Sequence, residues 1–288
     1  MPIKAIDVAT RVKELASLPD VCIKINQLAD DPKSTTYDIK EVIETDAALT
    51  ARVLKIANSS FFNYGKKVDD LNRAIMLIGM EGLRDIVWAT SSISSFAKLP
   101  NKFIDMNTFW RHSLYTATVA RILAQKCRVI NKDRIFLCGL LHDVGQLALY
   151  QIMPEEMEVV FVRSKANEEQ LFVSEKYILG FTHATVSYAL LRMWNLPVSI
   201  CQAVAYHHQP GKCEDFRLDA AIIHIADAVA KQAGNVGHKL ESEQYIDPNA
   251  WKVTGLSEKI VDSMIQVADE QFRDALALYL SPVNVAAA

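Results

Sequence analysis

Apolar residues recur along most of this chain at three- and four-residue intervals, the spacing of helices that bury one face. Ile200, Val204 and His207 share one such stripe, and His208 extends the Ile200–Val204 row by another turn. The stretch from Ile135 to Leu149 is apolar nearly all round, which predicts one buried helix. Ile86-Val-Trp-Ala-Thr90 and Val159-Val-Phe-Val162 could pass for strands, but both sit inside longer helical patterns. The expected class is therefore all-α. Thr35-Thr-Tyr-Asp38 has the capping-box spacing and predicts a helix start. A first half, residues 1–100, reads as short helices separated by Asp30-Asp-Pro32, Asn63-Tyr-Gly65 and Leu99-Pro-Asn101. The second half, residues 101–288, holds a further set, with Gly234-Asn-Val-Gly237 breaking one helix and an apolar Val285-Ala-Ala-Ala288 tail that frays. No interdomain linker, internal repeat or low-complexity tract interrupts the pattern.

Composition narrows the functional classes. With 288 residues, half of them apolar, the chain can bury about three quarters of its unfolded surface, enough for one large domain or two closely packed halves. A formal charge of −3 gives no field that would attract nucleic acid or an anionic membrane. Thr36 to Glu44 followed by Ala47 to Ala57 could be two helices of a DNA-reading motif presenting Arg52 and Lys55. The same half carries Asp30, Asp31, Asp38, Glu41, Glu44, Asp46, Asp69 and Asp70, so a basic footprint is missing and nucleic acid is not an expected partner. No apolar run reaches the roughly 18 residues that span a bilayer, and Met1 to Asp7 lacks the order of a signal peptide. A cytoplasmic protein is expected, with no membrane partner. Cys22, Cys127, Cys138, Cys201 and Cys213 show no Cys-x-x-Cys spacing, so reduced thiols are the default.

Candidate chemistry lies in the histidines. His142-Asp143 and His207-His208 stand among apolar helical residues, and burial of an uncompensated carboxylate costs several kcal/mol at least. His112 follows Phe109-Trp110, His183 opens a helix through Val186, Leu190 and Met193, and Asp227 lies one turn after Ile223 and His224. Five imidazoles and two carboxylates on inner helix faces read as a dinuclear metal site, since neutral imidazole and carboxylate are common first-row metal ligands and one carboxylate can bridge two ions. The competing reading is a proton-bearing polar core. His224, one turn before Asp227, is read as a cap on a neighbouring carbonyl in preference to a side chain that orients a metal ligand. Arg111, Arg192 and Lys212 are the candidate phosphate-binding cations, each weighed against an ordinary solvated charge.

The order His112, His142-Asp143-Val-Gly145, His183, His207-His208, Asp227 resembles the ligand order of the HD superfamily of metal-dependent phosphohydrolases. Leu18-Pro19, Asp46 through Ser60, Ala74 through Gly79, Thr182-His-Ala-Thr185, Trp194-Asn-Leu-Pro197 and His207-His208-Gln-Pro210 narrow this. Together they resemble the HDOD domain, the HD-related output domain of bacterial signalling proteins, over about residues 15–230. The resemblance implies an HD-like helical bundle with an N-terminal helical subdomain. By analogy with catalytic relatives of the HD-GYP type, which hydrolyse cyclic di-GMP, His112, His142, Asp143 and Asp227 would hold one ion. His183, His207 and His208 would hold the other, with Asp143 bridging.

Two departures separate this chain from that chemistry: Gln146 stands where the HD-GYP pattern has a lysine, and no Gly-Tyr-Pro segment follows His208. Thr108 replaces a glutamate of trinuclear relatives, so no third ion is implied. The expectation is a signalling output module that acts through a protein partner and keeps an HD-type site for iron, manganese, zinc or nickel. The alternative is a phosphohydrolase acting on a nucleotide or other phosphoester, in which a water bridging the ions beside Asp143 would attack phosphorus. Asn58-Ser-Ser-Phe-Phe-Asn-Tyr-Gly65 is the candidate partner contact, against the plainer reading that Phe61 and Phe62 close the core.

Overall fold

A computed structural model describes residues 3–15, 19–59, 68, 70–96, 103–233 and 246–280. Every regular element among them is helical. In chain order they are α1 (Ala5–Leu15), α2 (Asp20–Asp30), α3 (Thr36–Glu44), α4 (Ala47–Ala57), α5 (Leu71–Phe96), α6 (Met106–Lys126), α7 (Lys132–Leu141) and α8 (Val144–Ile152). Then follow α9 (Pro154–Asn167), α10 (Leu171–Leu179), α11 (His183–Met193), α12 (Val198–Ala205), α13 (Arg217–Gln232), α14 (Pro248–Thr254) and α15 (Val261–Tyr279). Both strand-like stretches lie inside helices, α5 and α9. The segments 60–65, 99–101, 234–237 and 285–288, to which the sequence assigns turns or a tail, lie outside the described residues.

The chain forms two compact units that are not contiguous in sequence. Residues 17–98 and 269–288 make one, and residues 1–16 and 99–268 make the other. In the first unit α2, α3 and α4 pack on α5. Thr35 and Asp38 close the predicted capping box, the Thr35 amide and hydroxyl both donating to Asp38 Oδ2 at 2.7 Å. Gly79, at φ 77°, breaks α5 where a side chain would be strained.

The second unit carries every predicted ligand. Its core is α6 against α7 and α13, with α8 against α11, α1 on α8 and α11, and α12 between α7 and α13. Two expectations change here. Ile135 to Leu149 is two helices meeting at His142-Asp143, because Asp143 leaves the helical region (φ −101°, ψ 6°) and takes the position before the first turn of α8. His207 and His208 do not extend the α12 stripe either, since α12 ends at Ala205 and the pair occupies the turn that follows. The stretch Lys132–Ile152 has the length and composition of a membrane-crossing segment, yet 83% of its most apolar window is buried inside this unit. Core helices meet the same criterion.

Candidate metal centre

Five elements converge on one buried point: His112 from α6, His142-Asp143 from the α7–α8 junction, His183 from the start of α11, His207-His208 from the turn after α12, and Asp227 from α13. The approach depends on missing side chains. A Cβ on Gly145 would lie 2.1 Å from the His183 carbonyl oxygen, and one on Gly139 would lie 2.7 Å from Ala117 Cα. These glycines let α8 meet α11 and α7 meet α6 backbone to backbone, which carries Asp143 to His183 and His142 to His112. Ser187 fastens the first contact, its Oγ accepting from Gly145 N (2.8 Å) and donating to the His142 carbonyl (3.1 Å).

Asp143 is central. Its Oδ1 lies 3.1 Å from His183 Nε2 and 3.6 Å from His207 Nε2, while Oδ2 lies 3.1 Å from His142 Nε2 and 3.9 Å from His112 Nε2. Although it holds the N-cap position of α8, its carboxylate makes no capping bond and faces the cluster. Asp227 Oδ1 is 3.0 Å from His112 Nε2 and 3.5 Å from His142 Nε2. His208 Nε2 faces His183 Nε2 at 2.8 Å, with its ring stacked on Phe172. Ligand atoms gather as two groups, Asp143, His183, His207 and His208, and His112, His142 and Asp227. All seven predicted residues are therefore brought together.

The rings are aimed from behind. His142 Nδ1 is 2.8 Å from the Gly139 carbonyl, His207 Nδ1 is 2.7 Å from the Val204 carbonyl, and His183 Nδ1 is 2.7 Å from Glu175 Oε2. Each of those oxygens can only accept, so Nδ1 carries the proton and Nε2 turns inward. Nε2 of His112, His142 and His207, with Oδ1 of Asp143 and of Asp227, are buried without an aligned hydrogen-bond partner despite their short separations. Such convergence of buried donors and acceptors, held by charge without aligned hydrogen bonds, is costly in a protein core unless another group fills it.

Charge follows the same geometry. Burial lowers the pKa of His142, but the adjacent Asp143 and Asp227 carboxylates more than reverse this and raise it to about 9. For His183 burial is likewise overcome by Glu175 and Asp143, to about 10. Burial and the nearby His142 push His207 down to about 3, and burial also lowers His112 and, far more, His208. Asp143 stays well below the carboxylate range because His142 and His183 outweigh its burial. Asp227 does so because Lys231 does, its Nζ donating at 2.6 Å to Oδ2.

Glu175 and Lys231 escape the sequence reading. Glu175 on α10 is fully buried, and its Oε2 also accepts the His183 backbone N–H at 2.8 Å. Lys231 had a signal in its i+4 spacing from Asp227. His224 caps a carbonyl as expected, donating from Nδ1 to the His207 oxygen (2.7 Å) and accepting at Nε2 from Asp247 N (2.9 Å). Gln146 is turned to Tyr150, accepting its hydroxyl at 3.0 Å. Of the three candidate cations, Arg192 lines a separate hollow beside Tyr188, while Lys212 borders the site. A groove of about 640 Å³ opens on His208, lined by Arg163, Lys176, Lys212, Phe172 and Tyr177 among others, with no carboxylate in its walls.

The HDOD domain profile matches residues 15–210. An uncharacterised protein of Treponema pallidum (strain Nichols) is 25% identical over 217 residues, 74% of this chain, which spans only 41% of that relative's length. Among solved structures, an HDOD domain protein of unknown function from Geobacter sulfurreducens superposes with a TM-score of 0.74 at 23% identity, covering 96% of this chain and 98% of that one. A phosphohydrolase candidate from Shewanella amazonensis SB2B gives 0.72 at 20% identity, with 95% and 97% covered. At these identities the likeness is one of fold.

Proposed function

Because the chain belongs to the HDOD family, we propose that it is a cytoplasmic signal-transduction output protein whose centre holds two divalent metal ions, iron, manganese, zinc or nickel. The observation that carries this reading is the convergence of inward-facing Nε2 and Oδ1 atoms on His112, His142, His207, Asp143 and Asp227, buried within 3.0–3.9 Å of their neighbours without aligned hydrogen bonds. Asp143, His183, His207 and His208 would hold one ion, and His112, His142 and Asp227 the other, with Asp143 between them. Output would pass to a protein partner. That part of the proposal is supported by exposed apolar residues on neighbouring helices, Val159 and Val162 on α9 with Tyr177 on α10. Elemental analysis of protein purified without chelator or nickel resin should find about two ions per chain. A value near zero, with no uptake of added iron or manganese by folded protein, would sink the metal reading and leave a metal-free interaction module.

A second reading, hydrolysis of a phosphoester, is favoured by the groove at His208. Gln146 supplies no charge, but Lys176 and Lys212 line the wall together with Arg163, whose charge is already paired with Glu169 at 2.9 Å, so an anion entering there would meet two lysines before the cluster. Bound divalent ions would supply Lewis acidity toward a phosphoryl oxygen and a more acidic water. Lys176 and Lys212 would orient the ester, and Phe172 and Tyr177 would offer flat apolar walls to its organic part. Manganese-loaded protein should hydrolyse a p-nitrophenyl phosphodiester, about tenfold less in Lys212→Ala if that cation stabilises the reacting phosphate. Absence of turnover in fully loaded protein would remove this reading.

A further inference from the structure

Two charged side chains outside the ligand set grip the centre from its two ends, and their charges are opposite. Glu175 Oε2 takes both the backbone N–H and the Nδ1–H of His183, while its Oε1 is buried without a hydrogen-bond partner. Glu175 thus holds His183 at two points through one oxygen, fixing the ring from behind. His142 and His207 instead lean on neutral peptide carbonyls. At the other end, the Lys231 ammonium occupies Asp227 Oδ2 at 2.6 Å and draws charge from the carboxylate that would serve the His112 and His142 position.

We infer that Glu175 and Lys231 make the two metal positions unequal. The position of Asp143, His183, His207 and His208 fills first and holds its ion more tightly, and the position of His112, His142 and Asp227 fills second. A carboxylate behind a ligating imidazole makes that imidazole a stronger donor, and such outer contacts change metal affinity by about 10–100-fold. An ammonium bonded to a ligating carboxylate has the opposite effect, since it competes with the ion for the same charge. Glu175 and Lys231 are thus positioning residues, and they set an order of loading that the ligand types alone do not. This rests on the two-ion reading above.

The full-length chain, stripped by chelation, is titrated with Mn²⁺ by calorimetry, with ions per chain counted at each stage. Wild type should show two steps, the first at least about tenfold tighter. Asp227→Asn should keep the first step and lose the second. Glu175→Gln should weaken the first step by about 10–100-fold, and Lys231→Met should tighten the second and narrow the gap. Lys231 is partly exposed, so its substitution tests the inference even where Glu175→Gln fails to fold. Two equal steps in wild type, or an unchanged first step in folded Glu175→Gln, would overturn the inference while the two-ion reading stands. Saturation below two ions in wild type would overturn both.

Discussion

Asp143→Ala is expected to lose both ions, whereas removal of any one imidazole should cost one position at most. Asp143 alone faces both groups, with Oδ1 toward His183 and His207 and Oδ2 toward His142 and His112. Without it, the His112 group keeps one carboxylate already shared with Lys231, and the other group keeps three neutral donors and no anion. The first set is then a two-imidazole, one-carboxylate site weakened by the ammonium on its single anion, and the second has no anion at all, so both should hold iron or manganese poorly. Breaking a buried charge pair by deleting one partner typically costs about 3–5 kcal/mol. Here the cost should fall below that range, because His142 and His183 can shed their protons once the carboxylate is gone. Asp143→Asn keeps the volume and removes the charge, so it should empty the centre equally while perturbing packing less. Elemental analysis paired with thermal melts separates the two effects. Unchanged metal content in either variant would reduce Asp143 to a core residue.

How much of this was legible in the chain depends on whether a signal was local. Helices α3 and α4 and the Thr35–Asp38 box follow from spacing, because a cap and an amphipathic stripe are written in consecutive residues. The break at His142-Asp143 is not, since both flanking helices are buried on every side and no polar face marks where one ends. His207 and His208 misled for a related reason: no glycine or proline stands between Ala205 and Gln209 to mark the end of α12, so periodicity counts the turn as helix. The seven cluster residues could be picked out because polar groups among apolar ones demand partners. Glu175 could not, as its partner His183 lies eight residues on, beyond the end of α10, and nothing local tells a buried glutamate from a solvated one. The need for glycine at 145 is likewise tertiary, set by how closely α11 passes.

Metal uptake should release about two protons per chain at neutral pH and weaken steeply in acid. In the metal-free cluster the raised values of His142, about 9, and His183, about 10, mean that both rings hold an Nε2 proton at pH 7. Those protons lie against Asp143, where cations are wanted, so they act as stand-ins for the ions and must leave before Nε2 can ligate. His112, His207 and His208 have lowered values and enter neutral, so they release nothing. The sign follows from competition: ions bind the deprotonated rings, so affinity rises with pH. Across roughly pH 7 to 8 the product of the two binding constants should climb by about two decades per unit, flatten as pH passes about 9, and level above about 10. Asp143 and Asp227 add no slope within that window, because both carboxyls remain ionised well below the usual range. Calorimetric titration with Mn²⁺ in buffers of different ionisation enthalpy counts the protons directly. Release near zero at pH 7 would mean that both rings enter neutral and that Asp143 is balanced by some other charge.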